Sequence, residues 1–387
     1  MIELPPRVVG RFGDTTSGPT LIVFGAVHGN EPAGYEALRS VFSGFEESGA
    51  TFRGSVIGLV GNRRALAERA RYIDEDLNRI WLPGKLCRIK GGEDANGELG
   101  EARELHRELE AILATASDTV YALDIHSTSG PGPAFSVFDD SLVNREFALE
   151  LEVPMVLGIE EELDGTLLDY LNARGVHTTG FEAGQHQDEA SIDRAEAAIW
   201  VALRASGVLG RSCQAQVDAA SRRLAQVSNG LPALFEVRHR HAIPQGSDFR
   251  MRPGFSGFQG VRRGDEIAFE DDQTIRAPED GLLLMPLYQT QGEDGFFIIR
   301  PVRRVWLRVS ARLRRWRLER FVHLLPGVRR QDEHGLELRV NRPIARWLPL
   351  DFFHLLGYRR IAEVGRHLYL RRRGIDGVDT SSFPAGS

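Results

Sequence analysis

Two histidines and two glutamates are the residues of this 387-residue chain whose types and spacing best suit chemistry. His28 and Glu31 stand three residues apart in GAVHGNEPAG, so a turn leaving a strand would let both side chains converge on one ion. Imidazole nitrogen and carboxylate oxygen suit zinc, and two histidines with one glutamate leave a fourth position open for water. His126, in LDIHST and 95 residues after Glu31, is the third ligand candidate. Glu182, in GFEAGQH, lies in a similar setting. Taken singly each signal is weak. H-x-x-E arises by chance, and a lone histidine at a strand end reads equally as a core or capping residue.

The elements around these residues favour grouping them. TLIVFGAVH (20–28), SVIGLV (55–60), TVYALDIH (119–126), VPMVLGI (153–159) and VHTTGFEAG (176–184) are short apolar runs of strand type. Helical periodicity covers Asn30 to Ser43, Leu99 to Ala116, Glu189 to Leu209 and Ser212 to Val227. Alternating strands and helices imply an α/β fold with a mixed, largely parallel sheet flanked by helices. Ligands of such sheets bind beyond the carboxyl ends of the strands. His28, His126 and Glu182 each lie at or just after the end of such a run.

Composition bounds the function classes. Hydrophobic residues at 42% and charged residues at 26% are ordinary for a globular protein. Cys87 and Cys213 are too few for a disulfide framework or a thiolate zinc site. The N-terminus shows no signal-peptide pattern, and no run of about 18 apolar residues spans a bilayer. A cytoplasmic location is the expectation. The net charge of −6 hides an asymmetry, because Arg300 to Arg373 holds 20 arginines against six acidic residues.

Four divisions are expected: a zinc-dependent catalytic α/β domain over 1–210, a helix linker and β-rich capping domain over 211–302, an Arg-rich accessory region over 303–373, and a disordered tail over 374–387. Short apolar runs broken by Gly, Pro and Asp mark the β-rich part. Its RGD-x-I-A…APEDGLLL spacing is similar to lipoyl-like barrel-sandwich modules, without a modifiable lysine at the tip.

H-x-x-E, then RYIDEDLNR (71–79), then the D-x-H of 124–126, then G-x-E-x-G (180–184), in this order, resemble the succinylglutamate desuccinylase/aspartoacylase family. That family belongs to the wider zinc carboxypeptidase-like superfamily, and the resemblance runs over roughly residues 20–300. It implies one zinc ion per chain on His28, Glu31 and His126. It also implies Glu182 as general base and acid, and Arg71 as the group that polarises the scissile carbonyl. Asn78 and Arg79 would grip a substrate carboxylate. Tyr170 and Arg174 have the four-residue spacing of a further substrate-binding pair, although they stand closer to Glu182 than in aspartoacylase. MPLYQTQGEDGFF resembles the β-domain segment that approaches the site, so Tyr288 could touch substrate or be a core tyrosine. Asp124 could orient His126 or be structural. Asp74 and Asp76 read as structural, bracing the arginines. His106, His177, His186, His239 and His241 read as non-catalytic.

The implied activity is hydrolysis of the amide bond of an N-acyl amino acid or related small molecule. A carboxypeptidase-type enzyme on short peptides and a non-catalytic binding protein are the competing readings. A small acylated amino acid is the expected partner, with no nucleic acid and no stable membrane insertion, and with homo-oligomerisation left open. WLRVSARLRRWRLERFVHLL reads as an accessory region packed through arginines onto the acidic catalytic domain, or as a basic amphipathic helix for an anionic surface.

Overall fold

The computed structural model describes residues 4–91, 97–210, 212–228, 230–331, 337–345, 353 and 356–372. The tail expected over 374–387 lies outside the described residues. Strands β1 (Val8–Gly13), β2 (Thr20–Gly25), β3 (Ser55–Val60), β4 (Val120–Thr128), β5 (Phe135–Val137), β6 (Met155–Leu157), β7 (His177–Gln185) and β8 (Leu234–Ala242) share one eleven-stranded sheet. The order is β1-β3-β2-β4-β7-β5-β6-β8, followed by Asp294–Pro301, Gly281–Leu284 and Gly260–Val261. The pairs β3–β2, β2–β4 and β4–β7 are parallel, while β1 and β5 pair antiparallel with their neighbours β3 and β7.

The unbroken apolar runs follow from burial on both faces. Along β2, Leu21 and Val23 point into one core and Ile22 and Phe24 into the other. In β4, Leu123 and Ile125 join the first core, Val120 and Ala122 the second. The first face is covered by helices Ala33–Ser48, Glu189–Ala205 and Gln214–Val227, the second by Gly97–Thr115 and Leu167–Asn172.

The division expected at residue 210 does not coincide with a break in the fold. Helix Gln214–Val227 packs its Val217, Ala220 and Leu224 into the first core, and β8 extends the same sheet. The strand Asp294–Pro301 bridges two cores by alternation. Phe297 and Ile299 face Phe135 and Val156, whereas Phe296 and Ile298 face Met251 and Ile267. The latter residues belong to a three-stranded antiparallel sheet of Phe249–Met251, Glu266–Glu270 and Gln273–Arg276.

Beyond it, helix Val305–Arg315 leads to an antiparallel sheet with its own core of Val322, Val328, Leu338, Val340, Leu368 and Leu370. Arg314, with 1% of its side chain exposed, donates to the Asp140 carbonyl at 2.7 Å and lies 3.7 Å from its carboxylate. Arg145 holds the same carboxylate and donates to Ser310 Oγ at 3.0 Å. Arg315 pairs with Glu146 at 3.1 Å. Some of the arginines thus contact helix Leu142–Glu150 and the residues before it, while Arg304, Arg308, Arg312, Trp306 and Trp316 stay exposed. Among the described residues, no helix is long and apolar enough to cross a membrane.

Candidate metal centre and catalytic site

Three residues after β2 ends, the chain turns through His28 to Glu31, whose backbone N–H donates to the His28 carbonyl at 3.2 Å. Ala26 takes a positive φ of 54° as the chain leaves the strand. Gly29 is required by contact, since a Cβ there would lie 2.0 Å from the Ala65 carbonyl carbon. These constraints aim His28 and Glu31 at the carboxyl end of β4. On the sheet itself, parallel register places His126 of β4 beside Glu182 of β7.

The side chains meet around one point. Glu31 Oε1 lies 2.9 Å from His28 Nδ1, and Glu31 Oε2 lies 2.9 Å from His126 Nδ1. The outer nitrogens are held as well: His28 Nε2 is 2.9 Å from Asp76 Oδ1 and His126 Nε2 is 2.9 Å from Asp124 Oδ2. One donor atom from each of His28, Glu31 and His126 falls within 4.8 Å of the others. With Nε2–H given to an aspartate, each ring faces Glu31 through Nδ1, and loss of the Nδ1 proton would offer that nitrogen to a metal. Two imidazole nitrogens and one carboxylate are a donor set for zinc, and the residues fit that ion.

Electrostatics agree with this geometry. Burial opposes charge on Glu31, but His28 and His126 hold its carboxyl well below the usual range. Burial likewise opposes a charged His126, and Asp124 and Glu31 outweigh it to raise the ring well above its ordinary value. Asp76 is held well below the carboxylate range despite burial, by His28 and Arg71. Glu182 behaves differently. Burial pushes its carboxyl up to about 7, with His126 opposing and Glu31 adding to the rise. Its Oε2 is buried without a hydrogen-bond partner.

Arg71, Asn78 and Arg79 line the same cavity as His28, Glu31, His126 and Glu182. Arg71 donates to Glu31 Oε1 at 3.3 Å and to Asp76 Oδ2 at 3.2 Å, and its buried Nε has no partner. Asn78 sits on the short helical turn Leu77–Arg79, capped by Asp76, and its Oδ1 accepts from the Leu167 N–H at 2.8 Å. Arg79 lies 3.4 Å from both Asp294 and Glu293.

Tyr170 and Arg174 are not brought to the cavity. Helix Leu167–Asn172 turns Leu168 toward it, and the pair faces helix Gly97–Thr115 instead. The Tyr170 hydroxyl donates to Glu110 at 3.0 Å, and the Arg174 guanidinium lies 3.7 Å over the Tyr170 ring. Tyr288 is also turned away. Alternation along an extended segment gives Leu287 and Gln289 to the cavity, while the Tyr288 hydroxyl bonds to the Arg252 carbonyl at 2.8 Å.

Four residues that the motif reading did not place in the site belong to it. Asp76 braces both Arg71 and His28. The sequence reading gave it a structural role bracing the arginines and did not foresee its contact with His28. Gln289 accepts from Asn30 at 2.7 Å and contacts His186 Nε2 at 3.0 Å. His186, expected to be uninvolved, lines the cavity and meets Ser127 Oγ at 2.8 Å. Glu160 lines it too, buried at 6% exposure, with only its position after an apolar run to announce it.

Comparison with known proteins adds the family. Residues 17–188 match the model of the succinylglutamate desuccinylase/aspartoacylase catalytic domain. A succinylglutamate desuccinylase of Photorhabdus laumondii is 30% identical over 94 residues, 24% of this chain and 26% of that protein. A protein named "probable aspartoacylase" in Acaryochloris marina is 31% identical over 111 residues, 28% of this chain and 35% of its own length. The chain thus spans about a quarter to a third of these curated relatives. Among solved structures, the succinylglutamate desuccinylase of Vibrio parahaemolyticus shares the fold with a TM-score of 0.51 at 16% identity, over 76% of this chain and 84% of that one. A succinylglutamate desuccinylase/aspartoacylase of Rhodobacter sphaeroides gives 0.54 at 17% identity, over 76% and 88%. Residues 17–188 therefore carry a succinylglutamate desuccinylase/aspartoacylase catalytic domain.

Proposed function

We propose that the protein is a zinc-dependent hydrolase that cleaves the amide bond of an N-acyl amino acid or a closely related small molecule. The observation that carries this reading is the convergence of His28, Glu31 and His126, each histidine backed by an aspartate, beside a buried carboxyl with an unpaired oxygen. Zinc held by those three residues would supply Lewis acidity, lowering the pKa of water toward about 7 and polarising a carbonyl.

The chain's own groups do the rest. Glu182 takes the proton of the attacking water on its free oxygen and returns one to the departing nitrogen, which cannot leave as an anion. A carboxyl raised toward neutrality suits both transfers. Arg71, permanently cationic, offsets the charge growing on the carbonyl oxygen. Arg79, with Asn78 beside it, offers a planar fork to the carboxylate of the amino-acid half, in exchange for part of its pairing with Glu293 and Asp294.

Small substrates are favoured over peptides because the segment carrying Leu287 and Gln289 crosses the cavity. Gln289 ties it to Asn30 and His186, and Pro286 packs on Gly130 so closely that a Cβ there would lie 2.6 Å from its ring. The test is a hydrolysis screen of N-acyl amino acids against short peptides on zinc-loaded protein, with Glu182→Gln as control. The variant should keep its zinc and lose turnover. Full activity in it would remove Glu182 from the proposed role, and faster cleavage of peptides would favour the carboxypeptidase reading.

A further inference from the structure

The segment 303–330 turns both charge and apolar surface outward. It holds ten arginines, no lysine and one acidic residue, Glu319. Glu319 is buried and pairs with Arg372 at 3.1 Å, so no acid stands among the segment's exposed groups. A segment of +9 in a chain of −6 leaves the rest at −15. An anionic surface would therefore turn this side of the molecule toward itself.

Helix Val305–Arg315 sets the arrangement. Leu307 packs against the cluster that holds Phe138 and Met155, and Leu313 against the core of the C-terminal sheet. Ser310 accepts from Arg145, and Arg314 donates to the Asp140 carbonyl. At about 100° per residue, the arc left free of these contacts holds Arg304, Arg308 and Arg312, four residues apart, with Arg315 among them and Val305 and Trp316 along one edge. Val305 is 52% exposed and Trp316 66%. Arg315 reaches Glu146, whereas Arg304, Arg308 and Arg312 make no ion pair among the described residues. Just past the helix, Arg317, Arg320 and Phe321 are exposed as well.

Two kinds of group on this surface want different partners. The guanidiniums are matched by phosphate oxygens. Val305, Trp316 and Phe321 gain only by leaving water. A nucleic-acid backbone would serve the arginines and leave Val305 wet. The boundary between headgroups and acyl chains in an anionic bilayer serves both, and it is where tryptophan beside basic residues settles. We propose that this arc is a docking surface for an anionic phospholipid bilayer, which holds the protein reversibly on the membrane face with no segment crossing it. The attachment is independent of the reaction at the metal centre.

The experiment is co-sedimentation of the full chain with vesicles of phosphatidylcholine alone or of equimolar phosphatidylcholine and phosphatidylglycerol. Partitioning should be about tenfold or more stronger on the anionic vesicles and should weaken as salt is added. The double variant Arg308→Glu, Arg312→Glu should lose about tenfold or more of that binding, with an unchanged thermal melt to show that it folds. Tryptophan emission should shift to the blue when wild type binds, and Trp316→Ser should lose most of the shift and bind less tightly. Equal partitioning to both vesicles, or binding unchanged in the double variant, overturns the proposal. Binding unchanged in Trp316→Ser overturns it too, since charge alone would then hold the protein. Duplex DNA bound at a salt concentration where anionic vesicles are not would assign the arc to nucleic acid. Self-association that the double variant abolishes, without vesicle binding, would assign it to a second copy of the chain; either result overturns the proposal.

Discussion

Replacing Asp124 by asparagine should weaken zinc binding without touching any ligand. Asp124 is fully buried on β4, and its Oδ2 holds His126 Nε2 at 2.9 Å. As a carboxylate it can only accept, so it keeps a proton on Nε2 and makes Nδ1 the nitrogen that gives up its proton to a metal. Asparagine keeps the shape but can present its NH2 group. His126 would then accept at Nε2 and carry its proton on Nδ1, toward Glu31, where it blocks coordination. The lost negative charge also makes the imidazole a poorer donor. Changes at such supporting positions cost about 10- to 100-fold in metal affinity, or about 1.4–2.7 kcal/mol. Competition against a chelating dye at fixed pH measures it, with Asp193→Asn on an exposed helix face as control. A zinc affinity within twofold of wild type would refute the argument that Asp124 sets the tautomer of His126.

Other substitutions separate the remaining roles. Arg71→Ala should lower kcat by about 10²–10³ with a smaller change in KM, because its charge matters most when the carbonyl oxygen becomes an anion; steady-state kinetics on any accepted substrate would show a KM effect alone if Arg71 only binds. Arg314→Ala should destabilise the fold by about 2–4 kcal/mol in urea denaturation, since it leaves a space beside buried Asp140 and strips a guanidinium from it; an unchanged midpoint would mean that the Arg-rich region docks without it. Glu160 yields a pH signature. Burial and neighbouring carboxylates push its folded carboxyl up to about 8 from the ordinary 4.5 of the unfolded chain, so the folded chain binds the extra proton between them. Its contribution to stability is therefore greatest below the unfolded pKa and falls as pH rises toward 8. Glu160→Gln should gain on the wild type by an order of 1–4 kcal/mol between pH 5 and pH 9 in metal-free denaturation, and parallel pH profiles would count against a buried, unpaired acid.

The parts of the site that were legible in the sequence are those where backbone geometry leaves little choice. Strands β2, β4 and β7 announce themselves as apolar runs, and a residue at the end of such a run has to emerge at one edge of the sheet. That put His28, His126 and Glu182 in one place. Asp124 was legible for the same reason, being two residues from His126 on one face of a strand. Tyr170 and Arg174 were placed by spacing alone, and four-residue spacing fixes a shared helix face without saying which way that face looks. Leu168, on the same helix, is what reaches the cavity. Tyr288 failed by parity, since in an extended segment the neighbours of a buried-facing residue turn outward. Glu160, Gln289 and the union of β8 with the main sheet depend on contacts between distant segments, for which local periodicity carries no information. The three-residue strand β5 is too short to show a period.

The most direct measurement is anomalous scattering at the zinc edge from crystals of the zinc-loaded protein, paired with metal analysis of His126→Ala in solution. The account predicts one peak per chain, about 2.0–2.2 Å from the Nδ1 atoms of His28 and His126 and from a Glu31 oxygen, and loss of stoichiometric zinc in the variant. A peak elsewhere with those side chains apart, or a full equivalent of zinc retained by His126→Ala, would contradict it.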